Sequence, residues 1–475
     1  MAESLPAPGD GADLARRLEH LSPERRALLL RELERRRLSG GEQLVSRRTG
    51  NDPAPLSYNQ ELLWRLEQSI PDLVAYNVPR VLRIRGALDE TALRAALDAL
   101  VARHEALRTR FVEGERGVRQ VVGAPERVPF DIIDLGAVDL AGRLDAADQL
   151  ICKLSRRRFD LGHELLLRAT LIRMDATDHL LHLLTHHLVS DEASRGLLLD
   201  ELAVHYAAAR AGTGRALAGL PVQYSDYATW QRELVDSGAL DVQLGYWRSQ
   251  LRGVGPIDLP TDYPRSNVPI FVGERRRRTI AGVLPAIDAL ARGNDVTPYM
   301  LLLAAFQVLL HRWSGREDFA IGTPISGRRQ VELEGLIGFF VNTLVLRADL
   351  AEDPTFSELL QRVKRTCIAA FEHQDVPFEK LVLDLRESGV GQDRVLIEAS
   401  FLVEEPRDWT IEFSGAAVSL HPTDLGGAKF DITLSLSRID DGLLATVEYR
   451  TDVFSRETID RLLAQFELLV RGILR

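Results

Sequence analysis

The stretch His186-His187-Leu188-Val189-Ser190-Asp191-Glu192 decides how this chain is read. Two mostly apolar runs precede it, Leu165–Arg173 and His179–His187, with the pattern of strands buried on both faces. After it, Asp191–Ala209 has helical spacing. The chain is therefore expected to leave a buried strand, turn through His187 and Asp191, and enter a helix. Side chains at such a turn can face a cleft while rigid elements hold them.

The residue types at this turn permit several readings. A histidine with a free ring nitrogen can accept a proton near neutral pH, and a carboxylate four residues later can orient the turn if it finds a cation. The bland alternative is two ordinary histidines at a strand end. His182, His186, His187 and Asp191 also have metal-ligand chemistry, but successive strand residues point to opposite faces, so His186 and His187 cannot share one ion without distortion, and no metal site is expected. Gly-x-Ser-x-Gly and phosphate-binding glycine loops are absent, and neither cysteine lies in a nucleophile motif. Transfer of an already activated acyl group needs only positioning and a base.

Bulk properties narrow the class. A chain of 475 residues with 45% apolar and 27% charged residues is an ordinary globular composition, expected to divide into two lobes of roughly 200 residues each. The net charge of −10 argues against nucleic acid or an anionic membrane as partner. Cys152 and Cys367 cannot build a disulfide framework and fit buried thiols in a reducing cytosol. With neither a signal-peptide pattern nor a long apolar run, a cytoplasmic protein is expected. Residues 1–54 read as a helical linker or docking segment, with ten arginines against five acids between Arg16 and Arg48. Residues 55–222 and 223–475 then read as two lobes of mixed α/β (α+β) class. Val78–Ile84, Asp318–Gly322, Thr343–Leu350 and Leu443–Tyr449 have strand character. Asp89–Arg103, Tyr224–Leu251, Thr297–Trp313, Thr355–His373 and the segment after Ser455 have helix character, and Gly253–Val272 reads as loop.

Further segments give the turn a context. They are Ser57-Tyr58-Asn59-Gln60-Glu61-Leu62-Leu63-Trp64, Arg103-His104-Glu105-Ala106-Leu107-Arg108-Thr109-Arg110-Phe111, Tyr224-Ser225-Asp226-Tyr227-Ala228-Thr229-Trp230, Ile337-Gly338-Phe339-Phe340-Val341-Asn342-Thr343 and His373-Gln374-Asp375-Val376-Pro377-Phe378-Glu379. In this order, and with His186-His187-x-x-x-Asp191, they resemble the first, second, fourth, fifth, sixth and HHxxxDG motifs of nonribosomal peptide synthetase condensation domains. These belong to the chloramphenicol-acetyltransferase-like superfamily, and the resemblance covers roughly residues 55–475. Most aromatic residues in these motifs, including Trp64, Trp230, Phe339, Phe340 and Phe378, are expected in the core rather than against substrate.

The resemblance implies two acetyltransferase-like lobes in a V-shaped pseudo-dimer with a tunnel between them, and a monomer. It implies a donor carrier protein whose phosphopantetheine thioester meets an acceptor, either a second carrier protein or a soluble small-molecule nucleophile. No cofactor bound by this chain itself is expected, since the arm comes with the carrier. The product is an amide, or an ester if the acceptor is an alcohol. His187 takes the base or positioning role, with His186 and Asp191 holding the turn. Arg328 is the first-choice partner for Asp191 and Arg108 the second. Ser190, Glu192 and Asn342 fall in the tunnel or oxyanion region, where backbone N–H groups near Asp191 and Glu192 would face the oxyanion.

Two departures from the family pattern stand out. Glu192 replaces the motif glycine; it would narrow the acceptor side, bind a cationic acceptor or raise the pKa of His187, or else point to solvent and change little. Gln392-Asp393-Arg394-Val395-Leu396 replaces the seventh motif. These departures motivate an alternative, a catalytically silent domain that recruits partner proteins to a synthetase. The chain carries no recognisable adenylation domain or carrier serine motif, so a free-standing enzyme or a domain cut from a larger synthetase is expected.

Overall fold

A computed structural model describes residues 44–475, apart from 51, 71–72, 116, 214–216, 267–270, 390–395, 405–411 and 424–425. The arginine-rich segment from Arg16 to Arg37 and most of the degraded seventh motif lie outside the described residues.

Two six-stranded sheets organise the chain. The first contains β2 (Asn77–Gly86), β5 (Phe130–Asp134), β6 (Leu167–Arg173) and β7 (Asp178–His186), together with the late hairpin β12 (Glu412–Phe413) and β13 (Ala416–His421), in the order β12-β13-β2-β7-β6-β5. The second contains β8 (Gly273–Ile280), β9 (Asp318–Ile325), β10 (Asn342–Asp349), β11 (Ala399–Glu404), β14 (Ile432–Ile439) and β15 (Gly442–Arg450), in the order β10-β9-β11-β14-β15-β8. A small third sheet joins β1 (Ala54–Pro55), β4 (Gly117–Val122) and β3 (Thr109–Gly114). β6 and β7 are the near-continuous apolar runs seen in the sequence, and every residue of β7 after Asp178 is buried.

Helices cover the sheets with their apolar stripes. On Glu90–Arg103 the stripe is Leu93, Ala96, Leu97 and Leu100, and the helix packs against Glu192–Arg210. In the second half, Pro298–Ser314 and Arg456–Ile473 bury Phe306, Leu310, Leu462 and Phe466 in one core. The helix expected over Tyr224–Leu251 is two helices, Tyr224–Asp236 and Asp241–Gln250, broken at Gly238, whose φ is 77°. Cys367 is buried as expected, but Cys152 is only partly so.

The 222/223 boundary of the sequence reading does not separate the cores. Tyr224, Tyr227, Leu333, Leu336, Ile337 and Phe340 pack in the core of the first half. The β13 strand crosses back to pair antiparallel with β2, from Ala416 opposite Gly86 to His421 opposite Val81. The second half of the chain therefore completes the first sheet and braces the histidine turn. The return strand escaped the sequence reading because β13 alternates exposed and partly buried residues and lacks the apolar run of a central strand.

Candidate functional site

β7 delivers the histidines. His186 ends the strand opposite Asn77, and the backbone N–H of His187 continues the pairing by donating to the Tyr76 carbonyl at 2.9 Å. A short 3-10 turn, His187–Val189, then leads to Asp191, which caps the helix Glu192–Arg210 by accepting from the Ser194 N–H at 2.8 Å. The motif Ser57-Tyr58-Asn59-Gln60 holds this turn from outside. Ser57 and Gln60 form a capping box, and the Gln60 amide donates to the Leu188 carbonyl at 2.9 Å.

The two histidines have different surroundings. His186 is 1% exposed, its Nδ1 accepts from the Leu188 N–H at 3.2 Å, and its Nε2 lies 3.1 Å from Glu67 Oε1. That geometry puts the proton on Nε2 and makes His186 a brace. His187 keeps partial solvent access, and its ring meets Phe339 edge-on at 4.6 Å and Tyr76 at 6.3 Å. Its Nδ1 is buried without a hydrogen-bond partner among the described residues. Enclosure by protein holds its pKa well below the usual imidazole value, with the Lys429 charge adding to the effect. His187 is thus a neutral imidazole at physiological pH, the state a base requires.

Asp191 is fixed by six hydrogen bonds. Arg328 donates to both oxygens, Nη1 to Oδ2 at 2.9 Å and Nη2 to Oδ1 at 3.0 Å. The Phe340 and Val341 N–H groups donate to Oδ2 at 3.0 and 3.2 Å, and the Ser194 N–H and hydroxyl donate to Oδ1 at 2.8 and 2.7 Å. The Ser194 hydroxyl joins the cluster, accepting from Arg328 Nη2 at 2.8 Å and from the Gly338 N–H at 3.0 Å. The local backbone depends on two glycines. A Cβ on Gly327 would lie 2.0 Å from the Phe340 carbonyl, and its φ of 66° suits the turn that launches Arg328. A Cβ on Gly338 would lie 2.0 Å from the Tyr224 ring.

Other expected site residues lie elsewhere or act differently. Arg108 does not reach Asp191; its Nε donates to the Val101 carbonyl at 3.2 Å and its Nη1 to Gly123. Asn342 braces the turn before Phe378, donating to the Val376 and Gln374 carbonyls and accepting from the Phe378 N–H at 2.9 Å. Ser190 is fully buried, with its hydroxyl unpartnered among the described residues. Glu192 turns along its own helix to pair with Arg195, and its side chain is 67% exposed. The His187 pKa moves down, not up as expected from a neighbouring Glu192 carboxylate, because enclosure and surrounding cations dominate.

Several residues that the sequence reading missed surround His187. Tyr76 supplies both a backbone acceptor and a ring, and Lys429 stands over that ring at 5.2 Å. Lys429 has solvent access yet is ringed by protein, and its pKa is pushed down to about 8 by burial, with the Arg195 and Arg275 charges adding to the shift. Phe339, expected in the core, contacts the His187 ring directly. A cleft between residues of both halves is lined among others by Asn59, Tyr227, Trp230, Arg329, Phe340 and Gln374.

Two sheets, the return strand and a buried Asp–Arg pair behind a partly buried histidine make up a chloramphenicol-acetyltransferase-like fold. Comparison with known proteins agrees. Residues 51–475 match the condensation domain family, and the chain belongs to it. It is 40% identical over 467 residues to phosphinothricin tripeptide synthetase PhsC of Streptomyces viridochromogenes, covering 97% of this chain and 43% of that protein. It is 36% identical over 423 residues to chondramide synthase cmdD of Chondromyces crocatus, covering 89% of this chain and 11% of that protein. The chain thus spans less than half the length of either relative. Among solved structures, the X-domain from teicoplanin biosynthesis superposes with a TM-score of 0.82 at 27% identity, covering 91% of this chain and 97% of that one. The same X-domain in complex with OxyB gives a TM-score of 0.83, covering 91% and 96%.

Proposed function

We propose that this condensation domain transfers an acyl or aminoacyl group from a carrier-protein phosphopantetheine thioester to an amine, or to an alcohol in ester formation. His187 serves as the base or positioning residue, while His186 and Asp191 hold its turn and Arg328 holds Asp191. The phosphopantetheine arm belongs to the donor carrier, and the acceptor arrives on a second carrier or as a soluble nucleophile. The observation that carries this reading is the Asp191–Arg328 anchor behind a partly buried, neutral His187. In the reaction the nucleophile attacks the thioester carbonyl, His187 accepts its proton, and the carbon–sulfur bond breaks to release a thiolate that takes that proton and leaves as the thiol. Among the described residues no helix is long and apolar enough to cross a membrane. The test is a reconstituted assay with acyl-loaded carrier and a panel of amines and alcohols. Product that disappears in His187→Ala supports the assignment, and equal product from that variant removes it.

A second reading, a catalytically silent domain that recruits a partner protein, draws on Glu192 and on the likeness to an X-domain solved with OxyB. Its signature would be carrier binding without product from any acceptor in the same assay.

A further inference from the structure

Glu379 lies in the first turn of the helix Phe378–Glu387, which packs against the helix Tyr58–Ser69. Its Oε2 is buried without a hydrogen-bond partner although the residue as a whole keeps partial solvent access, and no cation pairs with it among the described residues. Its own backbone N–H is its one favourable contact, and burial pushes its pKa up to about 7. A carboxylate enclosed in this way is costly unless a cation reaches it. Glu379 closes the motif His373–Glu379 and has no part in the reaction described above.

Glu379 stands two residues after Pro377, which lines the cleft together with Asn342. The preceding residue, Phe378, donates its N–H to Asn342, and Asn342 follows Phe340 and Val341, which hold Asp191. The Glu379 charge acts on Tyr227, which lines the cleft, and on Tyr76, whose ring meets His187. The other charged groups at these two phenols are Glu67 and Lys429 at Tyr76, the lysine standing 5.2 Å from its ring, and Asp191, Asp375 and Arg328 at Tyr227. Arg328 is committed to Asp191 and Ser194, and Asp375 to Arg329 and Gln243.

We propose that Glu379 receives the ammonium group of an amine acceptor and takes its first proton. This inference rests on the amide-forming reading above. An ammonium ion has no lone pair and cannot attack a thioester. Glu379 as carboxylate accepts one proton, leaving a neutral amine and a carboxylic acid. The amine nitrogen then bonds to the thioester carbon, His187 takes the second proton and passes it to the departing thiolate, and Glu379 returns its proton to solvent. The products are an amide, a thiol and one released proton.

The test has two arms on the full chain. In the first, non-transferable analogues with the thioester sulfur replaced by NH (glycyl, alanyl and phenylalanyl aminopantetheine) are titrated calorimetrically at pH 7.5 beside their N-acetylated forms. The wild type is expected to prefer the ammonium forms by roughly tenfold, the net value of a hydrogen bond to a charged group. Glu379→Gln should lose that preference and Glu379→Asp should keep part of it, with thermal unfolding confirming that both variants are folded. No preference in the wild type, or an unchanged one in Glu379→Gln, overturns the proposal. In the second arm, single-turnover transfer to an amino-acid acceptor is compared with transfer to hydroxylamine, which is already neutral at this pH. Glu379→Gln should slow the first by about tenfold or more and spare the second; equal slowing of both overturns the proton-transfer role. Absence of any product alongside an intact ammonium preference overturns the transfer reading and supports Glu379 as the ammonium site.

Discussion

Arg328 grips Asp191 from a loop of the second half of the chain, through two hydrogen bonds of 2.9 and 3.0 Å, with the two side chains 5% and 2% exposed. The same carboxylate caps the helix that follows the histidine turn and accepts from Phe340 and Val341. One buried pair thus fixes the turn to the segment whose Phe339 ring touches His187.

Removing one partner of such a pair leaves an uncompensated buried charge. Arg328→Ala is expected to lower unfolding free energy by about 3–5 kcal/mol, read as a shift of the denaturant midpoint. Asp191→Asn should cost less, because the amide keeps an acceptor for the N–H groups. A double-mutant cycle should give a coupling well above that of an exposed pair, which is about 1 kcal/mol or less.

His186 and Glu67 satisfy each other in the core beneath the turn. His186→Ala should destabilise by about 1–3 kcal/mol by leaving Glu67 without its partner. Glu67→Gln, which keeps an acceptor, should cost less. Chemical denaturation of the two variants side by side reads the difference.

The pH dependence of transfer follows from the depressed pKa of His187. A depressed pKa keeps the base form populated as pH falls through the ordinary imidazole range near 6.5. With hydroxylamine as acceptor, which does not call on Glu379, the rate should stay flat from pH 8 to about 6.5 and fall only below that. A midpoint at the usual value would show that enclosure does not control this imidazole.

Glu379 gives a stability signature independent of activity. Its folded pKa, raised to about 7 against an ordinary 4.5, means that the folded state binds more protons between those values, so its burial lowers stability as pH rises through the window. Glu379→Gln removes the titration and should stabilise the chain by up to roughly 3 kcal/mol at pH 8. The gain should vanish near pH 4.5, where both carboxyl states converge. Paired denaturation curves at the two pH values measure it.

Glu192 occupies the one site position that departs from the HHxxxDG pattern, and its side chain turns away to Arg195. Glu192→Gly removes a first-turn helical pair and should change stability by less than about 1 kcal/mol. The rate with small acceptors should stay within a small factor of wild type, and a large gain would mean that Glu192 obstructs substrate.

The sequence made the strand-turn-helix around His187 legible because its pieces are contiguous and strongly patterned: β7 is a long apolar run and Asp191 sits where a helix cap must. Arg328 was reachable through motif resemblance, 137 positions from its partner. The rest of the site was not. Tyr76, Glu67 and Lys429 come from three separate segments, and no local periodicity marks a residue as the neighbour of another across a fold. Phe339 and Glu379 stood in recognised motifs, but composition alone cannot tell a core ring or a solvated acid from one that faces a base. The division of the chain at residue 222 failed for the same reason, because the β13 return is set by long-range pairing with β2.

The account turns on His187 as the group that acts on the incoming nucleophile. The most direct measurement is single-turnover acyl transfer from a loaded donor carrier by wild type and His187→Ala, with thermal unfolding followed in parallel. The prediction is a fall of about 100-fold or more in a variant that unfolds like the wild type. Product formed at the wild-type rate by a folded His187→Ala chain would contradict it.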